Sequence, residues 1–362
     1  MKVAHLDTGR SWRGGQAQIL LLLEGLRASG VENALIAPNG PLLDRARAAG
    51  FATHPWTSRG ELDVGAMVRA ARLMRGADIA HAHSAHAHAL GVPAARWDRI
   101  PVVVSRRVDF EVGGNPLSRI KYRMPVDRYL CISRGVRSVM ARAGIPDSRL
   151  ALVPSGVAFR EPPATLPADV RELVGAPAGT PIIGTVAALA PHKDHANLMR
   201  AAAVLTRERP DVHFVWIGEG ECRGALERQR CELGLERHVH LLGFRDDAIA
   251  LLSQFTLFAL SSYLEGLCTS LLDAQRCGIP IVATATGGIP DVVEDGVTGR
   301  LTPVRDPAAF AAAILEALAQ PERARSWAAA ARRTVESFRA ERMVEKTLAV
   351  YRDVLFERGA SA

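Results

Sequence analysis

The chain has 362 residues, of which 48% are hydrophobic and 23% charged, so it is long enough for two domains of ordinary size and unlike a disordered or fibrous protein. No apolar run approaches the roughly 18 residues that span a bilayer, and residues 1–7 read as a short apolar strand. We therefore expect a cytoplasmic protein that is neither secreted nor integral to a membrane. The net charge of +7 resides in residues 96–149, where twelve basic residues outnumber five acidic ones.

This basic stretch indicates an anionic partner, such as a phosphorylated substrate, an acidic glycolipid or an anionic membrane face with peripheral contact. A solvated surface in an arginine-rich protein is the competing interpretation. Nucleic acid is not expected as a partner, because the sequence has no zinc-finger spacing, no RNP-like aromatic motif and no basic helix with heptads. Oligomeric state cannot be predicted from these features.

The first half of the chain alternates short β-rich runs with amphipathic runs, a pattern that predicts a parallel sheet with helices on both faces. The predicted strands are Lys2–Asp7, Asn33–Pro38, Asp78–Ala82, Pro101–Ser105, Tyr129–Ser133 and Leu150–Pro154. The predicted helices are Ala17–Ser29, Leu62–Arg75, Ala85–Ala95 and Gly135–Ala143.

Residues 161–181 contain five prolines and little periodicity, which is typical of a linker between compact units. The alternation then resumes. The predicted strands are Ile182–Ala187, Val212–Gly218, Val239–Leu241, Leu257–Leu260 and Ile281–Ala285, and the predicted helices are Ala196–Glu208, Cys222–Leu233, Leu267–Arg276 and Pro307–Ala319.

These patterns predict two Rossmann-like α/β domains that face each other across a cleft. The first covers residues 1–168 and the second residues 176–341. A last helical stretch, Arg342–Phe356, is expected to pack back onto the first domain, which residues 342–362 would then join.

The five cysteines are widely spaced and form no C-x-x-C pair of the kind that zinc or redox sites use. We interpret all five as reduced thiols of the core: Cys131, Cys222, Cys231, Cys268 and Cys277.

Two glycines, Gly14 and Gly15, stand at the junction between the first strand and its helix. Glycines there let the backbone approach a ligand where free N–H groups and the helix dipole favour an anion. The spacing is not the G-x-G-x-x-G of dinucleotide enzymes, which disfavours a dehydrogenase. A tight turn without any ligand explains the pair equally well.

A second candidate site runs from Ser261 to Asp273. Glu265 and Gly266 are predicted where a strand has ended and a helix begins, so that the helix start at Gly266–Cys268 could meet a phosphate while Glu265 points at the group the phosphate carries. Asp273 lies eight residues further on, roughly 12 Å away if the interval is wholly helical. Two acids so separated could bind two ends of one elongated ligand. The alternative is a solvent-facing glutamate and a capping aspartate.

These motifs together resemble the retaining GT-B glycosyltransferases of the glycosyltransferase family 4 type, over nearly the whole chain. The resemblance rests on the order and spacing of residues 187–195 around Lys193, Gly218-Glu-Gly220, residues 242–247 and the segment from Glu265 to Asp273, followed by Cys277-Gly-Ile-Pro280 and Gly287-Gly-Ile-Pro290.

The resemblance implies a role for each matching residue. Glu265 matches the first acid of the family's E-x7-E motif, which contacts hydroxyls of the donor sugar. Asp273 takes the place of the second glutamate, which holds the nucleotide ribose, but it is one methylene shorter. Lys193, one of only four lysines in the chain, matches the lysine that binds the diphosphate. Gly266, Leu267 and Cys268 complete the donor-binding segment.

Two further matches concern the phosphates and the nucleobase. Many relatives carry an arginine where this chain has Ala188, so the missing charge has to come from elsewhere, and Arg106 or Arg107 is the candidate. The loop of Gly243, Phe244 and Arg245 resembles the one that meets the nucleobase.

Four of the eleven histidines fall within residues 81–88. Imidazole is a common zinc ligand, but carboxylate or thiolate partners are missing, so we expect no bound metal. The resemblance puts His83 in the cleft near the sugar or the acceptor, where it would join Lys193 and Glu265 as a catalytic residue. The other histidines are interpreted as structural, with backbone partners.

The predicted function is therefore metal-independent, retaining transfer of a sugar from a nucleoside diphosphate sugar to a cell-envelope glycan, glycolipid or small-molecule acceptor. No D-x-D sequence occurs and no cofactor is expected. The alternatives are a sugar-nucleotide epimerase or phosphorylase of the same architecture, or a protein that binds sugar nucleotides without catalysis.

Overall fold

The computed structural model describes residues 1–112, 116–159 and 169–359, without the side chains of residues 116–119. The chain divides into two compact units, Met1–Ala158 with Phe338–Ala362, and Phe159–Ser337. The first division precedes the predicted one at residues 168–176. Of the predicted linker, residues 161–168 lie outside the described residues, and Val170–Val174 is a short helix capped by the Asp169 side chain.

The first unit is built on a parallel sheet of seven strands, in the spatial order β3-β2-β1-β4-β5-β6-β7. The strands are β1 Lys2–Leu6, β2 Glu32–Ala37, β3 Ala52–Pro55, β4 Ile79–Ala82, β5 Val102–Arg106, β6 Arg128–Cys131 and β7 Leu150–Leu152. The helices are α1 Gly14–Ala28, α2 Pro41–Ala48, α3 Val64–Met74, α4 Ala85–Trp97, α5 Pro116–Arg123 and α6 Arg134–Arg142, with α14 Ala340–Gly359 from the end of the chain.

The second unit contains a parallel sheet of six strands, in the order β10-β9-β8-β11-β12-β13. The strands are β8 Ile182–Val186, β9 His213–Ile217, β10 Val239–Gly243, β11 Leu257–Leu260, β12 Ile281–Thr284 and β13 Arg300–Thr302. The helices are α7 Val170–Val174, α8 His195–Glu208, α9 Arg223–Glu232, α10 Ala248–Leu252, α11 Thr269–Arg276, α12 Pro307–Ala319 and α13 Pro321–Thr334.

Both sheets have the doubly wound topology that the alternating pattern predicts, so the expected pair of Rossmann-like α/β domains is confirmed. The strand order reverses between β1 and β4 in the first sheet and between β8 and β11 in the second. In open parallel sheets ligands bind beyond the carboxyl ends of the strands at such a reversal. Each unit therefore has one location where a site is expected.

The C-terminal helix α14 packs on the first unit, as predicted. It contacts α1, and a Cβ at Gly25 of α1 would lie 2.4 Å from Val344 Cγ2, so only glycine allows this approach. Val344, Leu348 and Tyr351 of α14 share a buried cluster with Leu22 and Leu26 of α1. The fold of the first unit thus depends on residues from both ends of the sequence.

Two expectations about exposure are resolved by the fold. No helix among the described residues is both long enough and apolar enough to cross a membrane. All five cysteines are free, but the interpretation of every one as a core thiol is wrong, because Cys231 is exposed on α9. Only Cys131 and Cys268 are buried. The helical period of α9 turns Cys231 to solvent, since Leu226 is the only buried residue of that helix.

Candidate functional site

The predicted site residues of the second unit converge on the reversal between β8 and β11. Lys193 follows β8 in a single helical turn, Pro191–Lys193, that ends before α8. Ser261, directly after β11, donates hydrogen bonds from its Oγ to the carbonyl oxygens of Lys193 and Asp194 at 3.1 and 2.9 Å. Because β8 and β11 are paired, this hydroxyl fixes the lysine loop to the loop that carries Glu265.

The interval from Glu265 to Asp273 is not wholly helical, which corrects the expected 12 Å separation. Strand β11 ends at Leu260, residues 261–268 form a loop, and α11 begins at Thr269 with Cys268 as its N-cap. Gly266, Leu267 and Cys268 therefore precede the helix and do not form its first turn. The loop is braced by the Gly287-Gly288 motif, because Gly288 N–H donates to the Glu265 carbonyl at 2.8 Å.

Lys193 and Glu265 form an ion pair between Nζ and Oε2. Their side chains are 12% and 9% exposed, so the pair is largely withdrawn from solvent. Ser262 Oγ also donates to Glu265 Oε2, at 3.3 Å. Cys268 Sγ lies 4.0 Å from Lys193 Nζ and 3.0 Å from Ser270 Oγ, and burial raises the pKa of its thiol. The site thus holds a cation and an anion side by side at the carboxyl edge of the sheet.

The motif Gly218-Glu219-Gly220 permits close contact between the loops that follow β8 and β9. A Cβ at Gly218 would lie 1.9 Å from the Ala187 carbonyl oxygen, and one at Gly220 would lie 2.4 Å from that of Leu189. Leu189 N–H in turn donates to the Glu219 carbonyl at 3.0 Å. The two glycines therefore shape the backbone around Ala188.

The predicted nucleobase loop follows β10, two strands from β8, which corresponds to about 10 Å across the sheet. Phe244 is 53% exposed, whereas the Arg245 guanidinium is held by Asp247 through two hydrogen bonds of 2.7 Å. Phe244 is thus available to a planar ligand, and Arg245 is already paired.

Asp273 lies on α11, and burial raises the pKa of its carboxyl to about 6, with Arg276 opposing the shift. A carboxylate that is costly to ionise in the empty protein gains most from a ligand that donates hydrogen bonds to it. The predicted alternative of a capping aspartate is wrong, because Asp273 stands in the middle of the helix.

In the first unit, Gly14 and Gly15 are the first two residues of α1, and the N-cap residue Arg13 offers no side-chain hydrogen bond. The loop before them is fixed by Asp7, whose Oδ2 accepts from Gly9 N–H and Gln16 Nε2, both at 3.0 Å. The start of a helix of this length leaves N–H groups for an anion.

The structure distinguishes the two candidate arginines at the end of β5. Arg106 donates to Tyr122 OH and to the Phe110 carbonyl, both at 2.5 Å, and is buried as a structural side chain. Arg107 instead approaches α1, since a Cβ at Gly15 would lie 4.0 Å from Arg107 Cδ. Burial lowers the pKa of Arg107 to about 10, with Asp7 opposing the shift. The Nε atoms of both arginines have no partner within the described residues, so the difference lies in their terminal nitrogens, which in Arg106 donate to Tyr122 and Phe110.

His83 belongs to a buried cluster at the reversal between β1 and β4. His5 of β1 pairs in register with His81 of β4, and the ring nitrogens of His5, His81 and His83 lie within 4.8 Å of one another. His5 Nδ1 is 3.0 Å from His83 Nε2, and His5 Nε2 is 3.0 Å from Asn33 Oδ1. Burial lowers the pKa of all three rings, that of His5 to about 4.

Three imidazoles at this separation could also hold a transition metal. Against that, His81 uses both ring nitrogens, with Ser105 Oγ at 2.8 Å and Tyr351 OH at 2.6 Å, and the nearby Arg107 charge disfavours a further cation. The expected absence of a metal stays a prediction. The expectation of backbone partners is wrong for His81, whose ring bonds to two hydroxyls.

Sequence reasoning missed His5, the hydrogen-bond partner of His83. It also missed Asn33, which bonds to His5, and Tyr351, which bonds to His81. A histidine inside an otherwise apolar strand was the available signal for His5. Nothing local indicates Tyr351, which reaches His81 across 270 positions of the sequence.

The basic stretch at residues 96–149 is partly neutralised. Four of its basic side chains form ion pairs with acidic ones: Arg96 with Asp127, Lys121 with Glu61, Arg128 with Glu357, and Arg137 with Asp147. Asp127 and Asp147 are already counted in the net charge of the stretch, but Glu61 and Glu357 lie outside it, so that net charge overstates the free positive charge on this surface.

Family models match both halves of the chain. The model described as "Glycosyltransferase Family 4" matches residues 12–161, and the one described as "Glycosyl transferases group 1" matches residues 169–334.

Curated relatives are similar over part of their length. A GDP-mannose-dependent alpha-(1-6)-phosphatidylinositol monomannoside mannosyltransferase of Mycolicibacterium smegmatis is 30% identical over 69% of this chain and 63% of its own length. A D-inositol 3-phosphate glycosyltransferase of Corynebacterium urealyticum is 28% identical over 72% of this chain and 66% of its own. The chain thus spans less than two thirds of the length of the curated relatives it matches.

Solved structures share the whole fold. Anabaena HepE, crystallised in complex with UDP, superposes with a TM-score of 0.85 at 20% identity, over 98% of this chain and 100% of HepE. A sucrose-phosphate synthase from Thermosynechococcus elongatus gives a TM-score of 0.83 at 19% identity, over 98% of this chain and 99% of its own. The fold is that of the GT-B glycosyltransferases.

Proposed function

We propose that the chain, which belongs to the glycosyltransferases that combine a family 4 domain with a group 1 domain, transfers a sugar from a nucleoside diphosphate sugar to a hydroxyl acceptor. The observation that carries this proposal is the largely buried ion pair of Lys193 and Glu265 at the strand reversal of the second unit. It offers a cation for a diphosphate and a carboxylate for sugar hydroxyls at one point.

In this reaction the bond between the anomeric carbon and the phosphate oxygen breaks. Positive charge spreads over the sugar ring while negative charge builds on the departing diphosphate, so fixed cations and N–H donors lower the barrier. In the second unit Lys193 stabilises the diphosphate. In the first unit Arg107 and the N–H groups at Gly14 and Gly15 are the groups that can contact an anion. Of the two arginines expected to supply phosphate-binding charge, Arg107 is the one proposed, because the Arg106 guanidinium donates to Tyr122 OH and to the Phe110 carbonyl.

Glu265 accepts hydrogen bonds from donor-sugar hydroxyls and stabilises the developing positive charge. Its proposed role is orientation and electrostatic stabilisation, without nucleophilic attack, and Lys193 and Ser262 hold its carboxylate in place. The acceptor oxygen bonds to the anomeric carbon on the face that the diphosphate leaves, its proton passes to a phosphate oxygen, and the anomeric configuration is retained. The reaction as proposed involves no metal and no cofactor.

The remaining donor contacts lie along the carboxyl edge of the same sheet. Asp273 binds the ribose, Phe244 and the backbone at Gly243 meet the nucleobase, and Arg245 orders this loop through Asp247. Gly266, Leu267 and Cys268 line the segment between sugar and phosphate. His83, which belongs to the first unit, contacts a sugar substrate.

The acceptor class is a cell-envelope glycan, a glycolipid or a small polyol, and the names of relatives that act on phosphatidylinositol mannoside and on inositol 3-phosphate support it. Exposed apolar side chains of the first unit, among them Leu62, Phe110 and Ile120, support peripheral contact with a membrane surface on its cytoplasmic side. Binding to anionic vesicles that survives high salt unchanged would argue against an electrostatic contact.

The deciding experiment is a thermal-shift panel of UDP, GDP and ADP and their sugars, followed by transfer assays with the donor that binds. We expect Lys193→Ala and Glu265→Ala to remove turnover while the chain still folds, and EDTA to leave turnover unchanged. Full activity in either variant contradicts the assignment. Turnover of donor without acceptor would indicate an epimerase, and binding without turnover would indicate a protein that only binds sugar nucleotides.

A further inference from the structure

The hydrogen-bond chain that ends at His83 has a fixed direction. Asn33 Nδ2 donates to the Val31 carbonyl at 3.0 Å, so the amide oxygen Oδ1 is the atom that faces His5 Nε2, also at 3.0 Å. An amide oxygen only accepts hydrogen bonds. His5 therefore carries its proton on Nε2.

The proton on His5 Nε2 also fixes the tautomer of His83. His5 is fully buried and burial lowers its pKa to about 4, so the ring is neutral and Nδ1 is bare. This bare nitrogen lies 3.0 Å from His83 Nε2, which must then donate. His83 is also neutral, because burial and the neighbouring His81, His5 and Arg107 keep its pKa low. Its second nitrogen, Nδ1, is left with a lone pair.

That lone pair has no hydrogen-bond partner within the described residues, although His83 is only 5% exposed. Buried acceptors are rarely left without a donor, so an unpaired one in a folded protein requires an explanation. The nearby Arg107 likewise has a buried Nε–H without a partner. The charge of Arg107 also acts on the His83 ring, so a ligand that reaches the bare Nδ1 has to donate a hydrogen bond to it without being a cation.

The chemistry of the two groups narrows the ligand. A phosphate or carboxylate oxygen has no proton to give to His83 Nδ1, and the charge of Arg107 repels an ammonium group. A hydroxyl meets both requirements.

We propose that Asn33 and His5 are positioning residues that hold His83, the residue that the family resemblance already puts near the sugar, in the tautomer whose bare Nδ1 accepts a hydrogen bond from a hydroxyl. The inference rests on the proposed function for the identity of the ligand, but the tautomer does not. His83 orients the hydroxyl and takes no proton from it, so its ring stays neutral through the reaction.

The tautomer is tested first, on the free wild-type chain, by nitrogen NMR of ¹⁵N-labelled histidine with assignments from single histidine variants. We expect both His5 and His83 to carry hydrogen on Nε2 and none on Nδ1. A proton on His83 Nδ1 would overturn the proposal, as would binding of added Zn²⁺ to the three rings with loss of these signals.

The ligand is tested on the same resonances. UDP-glucose and GDP-mannose probe the donor sugar, methyl α-D-glucoside and inositol probe an acceptor, and UDP and GDP alone probe the phosphates. We expect the His83 Nδ1 resonance to move with one of the sugar-bearing probes and not with the diphosphates. Movement with the diphosphates alone, or with none of the probes, would overturn the hydroxyl assignment.

Two variants of His5 separate positioning from packing. In His5→Gln the amide can still donate to Asn33 and accept from His83, whereas His5→Leu removes both contacts. We expect His5→Leu to lower kcat/KM roughly fivefold to tenfold, the effect of one neutral hydrogen bond, and His5→Gln to restore most of it.

A matched control exists in the second unit, where His213 Nδ1 and His240 Nε2 form the same 3.0 Å contact at the amino end of β9. His213→Leu should leave kcat/KM unchanged. Equal losses of kcat/KM in His5→Leu and His5→Gln, or an equal loss in His213→Leu, would show that His5 acts only through packing and would contradict its positioning role. If the wild-type chain transfers no sugar at all, the proposed function fails while the NMR result still decides the tautomer.

Discussion

The Lys193–Glu265 pair should couple the two residues thermodynamically, since their side chains are only 12% and 9% exposed. Removing one member of such a pair leaves the other charge poorly solvated, which costs about 3 kcal/mol at the lower end of the range for buried pairs. Lys193→Met should therefore destabilise the second unit by about 3 kcal/mol, and Glu265→Gln by somewhat less, about 2 kcal/mol, because a lysine can extend toward solvent.

In the double variant Lys193→Met/Glu265→Gln no charge is left behind. We expect it to lose only about 2 kcal/mol, roughly 3 kcal/mol less than the sum of the single losses, which is at the upper end of measured couplings. For a domain of this size, 1 kcal/mol shifts the melting temperature by about 2–4 °C, so Lys193→Met should lower it by roughly 6–12 °C.

Differential scanning calorimetry and urea unfolding measure these losses, with the transition of the second unit assigned by its shift on adding the nucleotide that binds. The matched control is Lys2→Met, since Lys2 Nζ lies 3.0 Å from Glu32 Oε1 in a pair whose side chains are 42% and 69% exposed. That variant should lose at most about 1 kcal/mol. Additive losses in the double variant, or an equal loss in Lys2→Met, would refute the reasoning that burial gives the site pair its strength.

Three further predictions concern single residues. Burial raises the carboxyl pKa of Asp273 to about 6, so the folded state binds more protons than the unfolded state between about pH 4 and 6, and the stability contributed by this residue falls as pH rises through that window. Asp273→Asn should abolish this fall, raise stability at pH 7.5 by about 3 kcal/mol and weaken nucleotide binding. Calorimetry that finds no stabilisation would contradict the shift. Arg106→Met should destabilise the first unit by about 2 kcal/mol, because it removes the contacts with Tyr122 and Phe110. Arg107→Met should leave stability unchanged or higher and lower kcat/KM at least tenfold. The reverse pattern would exchange the roles of the two arginines. A thiol reagent should modify the exposed Cys231 first, without loss of activity. Burial raises the pKa of Cys131 to about 12, so this thiol should react only on unfolding. Mass spectrometry of the native chain identifies the modified thiol, and early labelling of Cys131 would contradict its burial.

Periodicity predicted the fold because most strands of both sheets are short apolar runs between amphipathic helices. What it missed were elements without that contrast. The four residues of β3 include a histidine and a proline, and only three residues form β13, both at sheet edges where little apolar surface is buried. The long helix α13 was missed because its apolar face is mostly alanine, with Trp327 as its one large buried side chain.

The sequence pointed to residues that lie together at the strand reversals, but it did not predict their local geometry. The segment after β11 carries the expected Glu265, but its helix begins four residues later, because the loop is held by distant partners such as Gly288 and Thr286 that no local pattern reveals. Likewise, sequence alone offered Arg106 and Arg107 as equals. Only the placement of Tyr122, sixteen residues further on, identifies Arg106 as the structural one.

The order of strands within each sheet explains where the Lys193–Glu265 pair and the histidine cluster lie. A list of strands along the sequence does not give that order. Lys193 and Glu265 are 72 positions apart and His5 and His83 are 78 apart, yet each pair meets because its two strands are neighbours where the winding of the sheet reverses. At that point the connections leave in opposite directions and no crossover helix covers the strand ends. Side chains there can remain polar and still be largely withdrawn from water. The neutral histidines of one unit and the ion pair of the other are therefore two chemically different uses of the same topological feature, and substitutions at either should affect binding and turnover more than the packing of the sheets.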